Sequence, residues 1–225
     1  MRQIPLAIAT EPPRTFESFL PGANALALAH LAALGGGSAP VYLWGPSGAG
    51  KTHLLQAVAL RFRSRGGTVG WFAADDAAPW AQDEHRSLVV LDDCDRLDAR
   101  QQHAAFALFV EASTLAIPVV AAGCLPPVDL SLRDDLRSRL GWGPVFELHP
   151  LGDAEARAVL RREADGRGIF LSDEVMEYLL TRFARDLKHL MALLDRLDEF
   201  GLARKRAITV PLLRQMLADS GAAPE

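Results

Sequence analysis

The sequence predicts an α/β fold in which a parallel sheet domain is followed by a small all-helical domain. Three observations predict it. A glycine-rich loop at residues 45–52 follows a short apolar run, a second apolar run at 87–93 ends in two aspartates, and the pattern after Pro150 is helical throughout. Four consecutive apolar residues are typical of a strand buried on both faces of a parallel sheet. Alternation of such strands with helices predicts a doubly wound sheet.

The glycine-rich loop carries the most specific motif of the chain. It reads G-x-x-x-x-G-K-T and lies between a strand-like run at 41–44 and a segment at 53–60 with helical periodicity. The glycines let successive backbone N–H groups turn toward one anion, and the following helix adds its N-terminal dipole. We expect Lys51 to reach the β- and γ-phosphates of a nucleotide and Thr52 to hold Mg²⁺. The predicted nucleotide-binding residues of this loop are Gly45, Pro46, Ser47, Gly48, Ala49, Gly50, Lys51, Thr52 and His53.

The acidic end of the second apolar run completes the predicted nucleotide site. Asp92 and Asp93 follow a buried strand, so their carboxylates lie at the sheet edge where ligands of doubly wound folds bind. We expect Asp92 to hold Mg²⁺ through water and Asp93 to orient an attacking water. Acids that merely cap a strand are the alternative interpretation, and the phosphate-binding loop upstream favours the functional one.

The remaining elements of the sheet domain follow in chain order. We predict helices at 24–34 and 99–114 and strands at 68–72, 117–122 and 145–148. Between the last two strands, Ser131 is expected to cap a helix that carries Arg133, Arg137 and Arg139.

The helical part of the chain shows its own start signals. Asp153 and Ser172 are expected to cap the first two helices, a third is expected at about 185–200, and Pro211 is expected at the start of a fourth. The first residues have no helical period and contain two adjacent prolines. We therefore predict an extended arm at 1–15, a nucleotide-binding domain at 16–150 and a helical domain at 151–225.

Composition limits the classes of function. With 225 residues, of which 49% are hydrophobic, the chain is an ordinary globular protein with ample core. It has no apolar run of membrane-spanning length and no signal-peptide layout, so we expect a cytoplasmic protein without membrane contacts. The two cysteines and six histidines lack metal-ligand spacing. A net charge of −4 argues against direct, sequence-specific DNA binding by the chain alone.

Taken together, these motifs resemble the AAA+ ATPases, and their details are similar to the DnaA branch. The segments that carry the resemblance are 16–19, Asp92-Asp93, 136–143 and 184–187. The resemblance implies bound ADP or ATP with Mg²⁺ and a helical lid. It also implies that Arg139 is an arginine finger, with Arg137 as its rival, and that Arg185 senses nucleotide from the lid. A surface arginine on an amphipathic helix is the alternative for Arg139, and an ordinary helix-start arginine is the alternative for Arg185.

The motif in the N-terminal arm indicates one family within this branch. Initiators of this branch carry a helix-turn-helix domain after the lid, and this sequence stops before one. With Gln-x-x-Leu-x-Ile at residues 3–8, the chain is similar to the family of regulatory inactivators of DnaA, called Hda. In that family the hexapeptide binds the β sliding clamp, which implies that Gln3, Leu6 and Ile8 bind the clamp and that the partner is the DnaA initiator. On the hexapeptide alone, a frayed terminus or an edge strand is the favoured alternative.

Two departures from the family pattern predict slow intrinsic hydrolysis. Asp93 stands where most AAA+ ATPases have glutamate, and a displacement of about 1 Å can cost about 100-fold in rate. Cys124, with its weakly polar thiol, stands where DnaA-like proteins offer a polar sensor residue, so either γ-phosphate sensing is impaired or the alignment with the family slips there. A helicase loader or DNA-remodelling ATPase, a small-molecule kinase and a nucleotide-gated scaffold stay open as alternatives. The active nucleotide, and whether the chain is a monomer or a homodimer, are also left open.

Overall fold

The structure, a computed structural model, describes residues 13–81, 83–182, 187–204 and 208–219. Within these residues a five-stranded sheet is followed by four helices. The strands are β1 (Val41–Trp44), β2 (Thr68–Ala73), β3 (Arg86–Asp92), β4 (Val119–Gly123) and β5 (Val145–Glu147). The α-helices are α1 (Ala25–Ala33), α2 (Lys51–Ser64), α3 (Ala99–Thr114), α4 (Asp134–Leu140), α5 (Asp153–Gly166), α6 (Asp173–Arg182), α7 (Leu187–Arg204) and α8 (Val210–Asp219).

The sheet is parallel, as predicted, and its strand order is β2-β3-β4-β1-β5. In this order β1 pairs with β4 on one side and β5 on the other, and β4 in turn pairs with β3. Because all the strands point the same way, the carboxyl ends of β1, β3 and β4 meet at one edge. The loop after β1 and the aspartates at the end of β3 therefore belong to the same site.

Side chains alternate between the two faces of the sheet. Along β3, Leu88 and Val90 pack on the face covered by α1 and α2, whereas Val89 and Leu91 pack on the face covered by α3 and α4. All four are buried, which explains the unbroken apolar run in the sequence.

The C-terminal helices have a hydrophobic cluster of their own. Leu160 of α5, Leu179 of α6, Leu194 of α7 and Leu213 of α8 are each fully buried in it. Each helix therefore contributes an apolar stripe, the pattern from which the helices were predicted. No described helix has the length and apolar character that a membrane crossing requires.

Two predicted helix caps are wrong. Helix α4 begins at Asp134 with Arg133 in the capping position, so Ser131 is not its cap and Arg133 lies outside the helix. Helix α5 begins with Asp153 itself, after Gly152. There the Glu155 carboxylate accepts a hydrogen bond from Gly152 N–H at 2.9 Å, which satisfies the helix start from inside the first turn.

Other boundaries differ by a few residues. Strand β4 begins at Val119 rather than at residue 117, since Pro118 has no N–H to donate and only its carbonyl is bonded, to Val89 N–H at 3.0 Å. The Ser172 hydroxyl accepts from Val175 N–H at 3.4 Å, consistent with its predicted role as a cap. Pro211 is the second residue of α8, where its missing N–H is harmless.

The turn between α4 and β5 gives a direct test of this packing. A Cβ atom on Gly143 would lie 1.9 Å from the carbonyl oxygen of Pro40, immediately before β1, whereas a Cβ on Gly141 would meet nothing closer than 3.6 Å. Because the obstacle at Gly143 is backbone, we expect Gly143→Ala to lower the free energy of unfolding by about 1 to 3 kcal/mol. Urea unfolding followed by circular dichroism measures this effect.

Gly141→Ala is the matched control for this test. It should change the unfolding midpoint little, because its new methyl group makes only ordinary van der Waals contact. Equal midpoints for the two variants would contradict the described approach of the turn to β1.

Candidate nucleotide-binding site

The glycine-rich loop runs from the end of β1 into the first turn of α2. Gly45, Gly48 and Gly50 have φ angles of 149°, 77° and 94°, which side chains rarely adopt. Space is also lacking, because a Cβ would lie 2.2 Å from the Leu148 carbonyl oxygen at Gly45 and 2.6 Å from the Phe19 ring at Gly50. The first N–H groups of α2 have no acceptor within the helix. The loop therefore presents backbone donors at a helix N-terminus, the arrangement that binds phosphate.

Lys51 places a positive charge at the centre of this loop. Its side chain is buried, with 7% exposed, and its ammonium group donates hydrogen bonds to the carbonyl oxygens of Gly45 at 2.7 Å and Pro46 at 2.9 Å. These neutral acceptors compensate only part of the cost of burying the charge. An anion at the loop would supply the rest, so the geometry fits a phosphate group.

Thr52 and Asp92 join the loop to the end of β3. The Thr52 hydroxyl donates to the Asp92 carboxylate at 2.9 Å, and the other oxygen of that carboxylate accepts from Asp93 N–H at 3.0 Å. Burial raises the pKa of Asp92, and the hydrogen bond from Thr52 and the charge of Lys51 oppose the rise. A hydroxyl and a carboxylate side by side are the hard oxygen ligands that Mg²⁺ prefers. These two side chains therefore fit the metal that accompanies a bound nucleotide.

Asp93 lies beside Asp92 in sequence, but its carboxylate has a different environment. The residue has a left-handed backbone, with φ of 52°, and its carboxylate pairs with Arg96 at 3.5 Å. Arg96 also contacts Asp75 at 3.3 Å. Both ion pairs are solvent-exposed and therefore weak. The predicted role of Asp93 toward an attacking water is untested by this geometry and requires its carboxylate to leave Arg96.

Asp95 is a site residue that the sequence reasoning missed. Its carboxylate accepts from the backbone N–H of Cys124 at 2.8 Å and so fastens the end of β4 to the turn after β3. The Tyr42 hydroxyl supports the same stretch by donating to the Leu125 carbonyl oxygen at 3.0 Å. Burial raises the pKa of the Cys124 thiol while the Lys51 ammonium opposes the rise. The sequence signal was a third aspartate after Asp92 and Asp93, but its partner is 29 residues away.

His53 extends the site toward the N-terminal segment rather than into the loop. Its Nε2 atom lies 2.9 Å from the carbonyl oxygen of Thr15, and its ring meets the Phe19 ring edge-on at 5.3 Å between centroids. The imidazole thus contacts the segment before α1. In the first turn of α2, only the backbone of His53 belongs to the phosphate-binding surface.

The two candidate finger arginines differ in their surroundings. Arg137 forms an ion pair with Asp134 at 2.7 Å, one turn earlier in α4. Arg139 forms no ion pair with any described residue, and its guanidinium lies 4.9 Å from the ring centre of Trp142. Trp142 is itself 64% exposed, so this cation–π pair faces the surface. Four other predicted site residues, Gln3, Leu6, Ile8 and Arg185, lie outside the described residues.

Two family models match this chain. One is described as the Hda lid domain and matches residues 153–217, the C-terminal helices. The other is described as the bacterial DnaA ATPase domain and matches residues 11–69, which include the glycine-rich loop and α2. The two matches thus fall on the two structural parts of the chain.

Solved structures share the fold over most of the chain. Domain III of the replication initiation protein DnaA from Thermotoga maritima superposes with a TM-score of 0.78 at 20% identity, covering 94% of this chain and 98% of that one. DnaA from Aquifex aeolicus, solved with AMPPCP bound, gives 0.71 at 24% identity, with 85% and 67% covered. A RuvB variant from Thermotoga maritima gives 0.68 at 18% identity, with 95% and 75% covered. At these identities the likeness shows a common fold.

The buried carboxylate of Asp92 leads to a prediction about stability. Burial raises the pKa of the Asp92 carboxylate, so the folded state is stabilised when this group is protonated. This stabilisation is lost as the pH rises through the raised pKa. At neutral pH the ionised carboxylate therefore lowers the free energy of unfolding. Asp92→Asn keeps the shape without the charge, so it should raise the stability of the nucleotide-free protein by about 1 kcal/mol. It should also abolish the extra stabilisation that Mg²⁺ gives in the presence of ADP.

Thermal unfolding at pH 7 without ligand, with ADP and EDTA, and with ADP and Mg²⁺ measures both effects. Asp129→Asn is the control, because this aspartate is exposed and should change neither quantity. Full retention of the Mg²⁺-dependent stabilisation by Asp92→Asn would remove Asp92 from the metal site.

Proposed function

Because this chain is an AAA+ protein of the DnaA family with an Hda-type lid, we propose that it is a nucleotide-bound regulator of chromosome replication initiation. In this proposal it binds ADP or ATP with Mg²⁺, docks on the β sliding clamp and stimulates hydrolysis of ATP held by the DnaA initiator. It acts in the cytoplasm, and its arm at 1–15, sheet domain at 16–150 and lid at 151–225 divide these tasks.

Nucleotide binding is supported by the charges and donors at the edge of the sheet. Lys51 offers a buried ammonium group, the first turn of α2 offers free backbone N–H groups, and Thr52 and Asp92 offer oxygen ligands for Mg²⁺. When bound, Mg²⁺ neutralises charge on the phosphates. Lys51 orients the phosphate group, and Thr52 and Asp92 hold the metal side. We assign Arg185 of the lid to the same nucleotide by resemblance to the family.

The environment of Arg139 is the observation that carries the proposed action on the initiator. A guanidinium that stabilises phosphoryl transfer on another protein has to be on the surface and free of a competing carboxylate. Arg137 forms an exposed ion pair with Asp134, whereas Arg139 lies over the exposed ring of Trp142 and pairs with no acid among the described residues. The ring supports the guanidinium without neutralising it. Arg139 is therefore the finger in this proposal.

The proposed mechanism is electrostatic and acts in trans. Negative charge spreads over the oxygens of the transferred γ-phosphoryl group of the initiator's ATP, and the Arg139 guanidinium donates hydrogen bonds to these oxygens. Water is the nucleophile and ADP leaves. The contact with the Trp142 ring restricts the Arg139 side chain before the reaction, so little conformational entropy is lost when the transition state forms.

Intrinsic hydrolysis by the chain itself is slow in this proposal. Asp93 is one methylene shorter than the glutamate of most AAA+ ATPases, and its carboxylate is paired with Arg96. The shorter side chain reduces the ability of Asp93 to orient a water molecule at the chain's own nucleotide, whereas the exposed ion pair with Arg96 is weak and adds little. The bound nucleotide then serves to hold the fold in one conformation rather than to be consumed.

Docking on the clamp is assigned to residues 3–8 by resemblance. An extended Gln-x-x-Leu-x-Ile peptide suits a groove that offers a polar notch for the amide of Gln3 and an apolar one for Leu6 and Ile8. Tethering to the clamp raises the local concentration of Arg139 near an initiator that is bound to the same DNA.

We expect Arg139→Ala to reduce the stimulated rate by about 10³-fold or more, because it removes the charge that stabilises the transition state. Arg137→Ala is the matched control, and it should retain most of the stimulation, since Arg137 is paired within its own helix. The measurement is phosphate release from ATP bound to the cognate initiator, with clamp-loaded DNA. Nucleotide binding by the chain itself should be the same in both variants.

The two variants separate the competing assignments. A larger loss with Arg137→Ala would identify Arg137 as the finger. No stimulation by the wild-type chain in the presence of clamp-loaded DNA would contradict the proposed function itself.

For the arm, we expect the triple variant Gln3→Ala, Leu6→Ala and Ile8→Ala to weaken clamp binding by at least about tenfold, because interface anchors carry most of the binding energy. Surface plasmon resonance with immobilised clamp measures this loss. Unchanged ADP affinity in the same variant shows that the protein is folded. Clamp binding that survives the triple variant would place the docking site elsewhere.

A further inference from the structure

We infer that the His53 side chain couples the nucleotide site to residues 15–22, the latch segment, so that bound nucleotide and the position of the latch segment stabilise each other. This inference rests on the proposed function in that the arm's partner is taken to be the clamp. The coupling within the chain is an independent claim and has a measurement of its own.

His53 is part of the nucleotide site through its backbone and contacts the latch segment through its side chain. Its backbone is in the first turn of α2, directly after Lys51 and Thr52, where N–H groups face an anion. Its imidazole Nε2 lies 2.9 Å from the Thr15 carbonyl oxygen and 3.3 Å from the Ser18 hydroxyl oxygen. A carbonyl only accepts, so Nε2 carries the hydrogen and donates it. Movement of this helical turn is therefore transmitted through one side chain to the latch segment.

The latch segment is internally stiff where His53 grips it. Thr15 N–H donates to the Ser18 hydroxyl oxygen at 2.9 Å, and Ser18 N–H donates to the Thr15 hydroxyl oxygen at 3.1 Å. These reciprocal bonds close a turn, so Thr15 and Ser18 move together. A single bond from His53 thus fixes the position of the whole turn.

Phe19 adds a second contact between the latch segment and the loop. Phe19 is buried, with 9% exposed, and its ring lies so close to Gly50 that a Cβ there would be 2.6 Å from the ring. It also meets the imidazole of His53 edge-on. Gly50, the last glycine of the phosphate-binding loop, and His53 of α2 therefore share one aromatic neighbour in the latch segment.

The lid touches the latch segment from the other side. Arg162 of α5 donates to the Ser18 carbonyl oxygen at 3.3 Å, and the Glu155 carboxylate lies against Gly22, where a Cβ would be 2.9 Å from its oxygen. The latch segment is thus held between the loop and α5. A change in either neighbour therefore acts on the latch segment.

These contacts make the affinity for nucleotide and the affinity for the clamp depend on each other. If nucleotide favours one position of the latch segment and the clamp-bound arm favours the same position, each ligand raises the affinity for the other by the same factor. Couplings of this kind are typically about 5- to 150-fold.

The first measurement is amide hydrogen exchange on the full chain, with and without Mg²⁺–ADP and in the absence of clamp. We expect nucleotide to slow exchange in residues 13–22 of the wild type by about fivefold or more. This protection should be lost in His53→Ala and kept in His53→Gln, whose amide N–H can still donate to the Thr15 carbonyl. His103→Ala, which alters an exposed histidine of α3, is the matched control and should behave like the wild type.

The second measurement is a thermodynamic cycle with isolated clamp. The Kd of Mg²⁺–ADP is measured with and without clamp, and the Kd of clamp with and without Mg²⁺–ADP. In the wild type the two ratios should agree and exceed about five, whereas in His53→Ala both should approach one, whatever the change in the intrinsic nucleotide affinity. Ser18→Ala, which removes one of the two acceptors of His53, should give intermediate ratios.

The outcomes are distinguishable. Nucleotide-independent exchange in residues 13–22 of the wild type overturns the inference, and so does equal protection in His53→Ala. If His53→Ala does not fold, Ser18→Ala decides the same question. Protection of residues 13–22 and affinity ratios equal to those of the wild type would then overturn the inference. A chain that shows nucleotide protection but no clamp binding keeps the internal coupling and contradicts only the proposed docking.

Discussion

The parallel register of the central strands is the constraint on which the site depends. Because β1 lies between β4 and β5, and β4 lies beside β3, the loop after β1 opens at the same edge as the aspartates after β3. The hydrogen bond from Thr52 to Asp92 spans this edge at 2.9 Å. It joins residues that are 40 positions apart, and no local propensity could bring them together.

The same edge concentrates groups that are costly to bury. The Lys51 ammonium is satisfied by two backbone carbonyls, and the Asp92 carboxylate by a hydroxyl and one N–H. Such a site is stabilised further by a ligand that brings the missing counter-charges, here phosphate and a divalent cation. The same buried charges therefore lower the stability of the ligand-free protein and favour the binding of a ligand with opposite charges.

The latch segment shows how the two structural parts are joined at this site. Phe19 packs on Gly50, His53 donates to Thr15, and Arg162 of the lid reaches Ser18. Each contact is modest alone, because hydrogen bonds of this kind typically contribute about 1 kcal/mol. Together they connect the phosphate-binding loop, the lid and Thr15, the last residue of the arm. A regulator needs this type of connection if its nucleotide is a switch rather than a substrate.

Local patterns in the sequence determined the elements and the two motifs of the site. The run Leu88 to Leu91 predicted a strand buried on both faces, and the spacing of Gly45, Gly50 and Lys51 predicted a phosphate loop, because both signals depend on residues close together in the chain. The caps at Ser131 and Asp153 were wrong, since the capping positions are Arg133 and Gly152 and neither residue caps its helix through a side chain, so the polar residues nearby do not fix where the helices begin.

Only the tertiary structure decided which distant groups meet. The partner of Asp95 is the N–H of Cys124, the imidazole of His53 lies on Thr15, and Arg139 rather than Arg137 lies free of an acid among the described residues. The sequence by itself determined a phosphate-binding α/β domain with a helical lid, because hydrophobic period and turn chemistry are local. The contacts between the side chains of its site depend on strand order and register, which bring together residues that are far apart in the sequence.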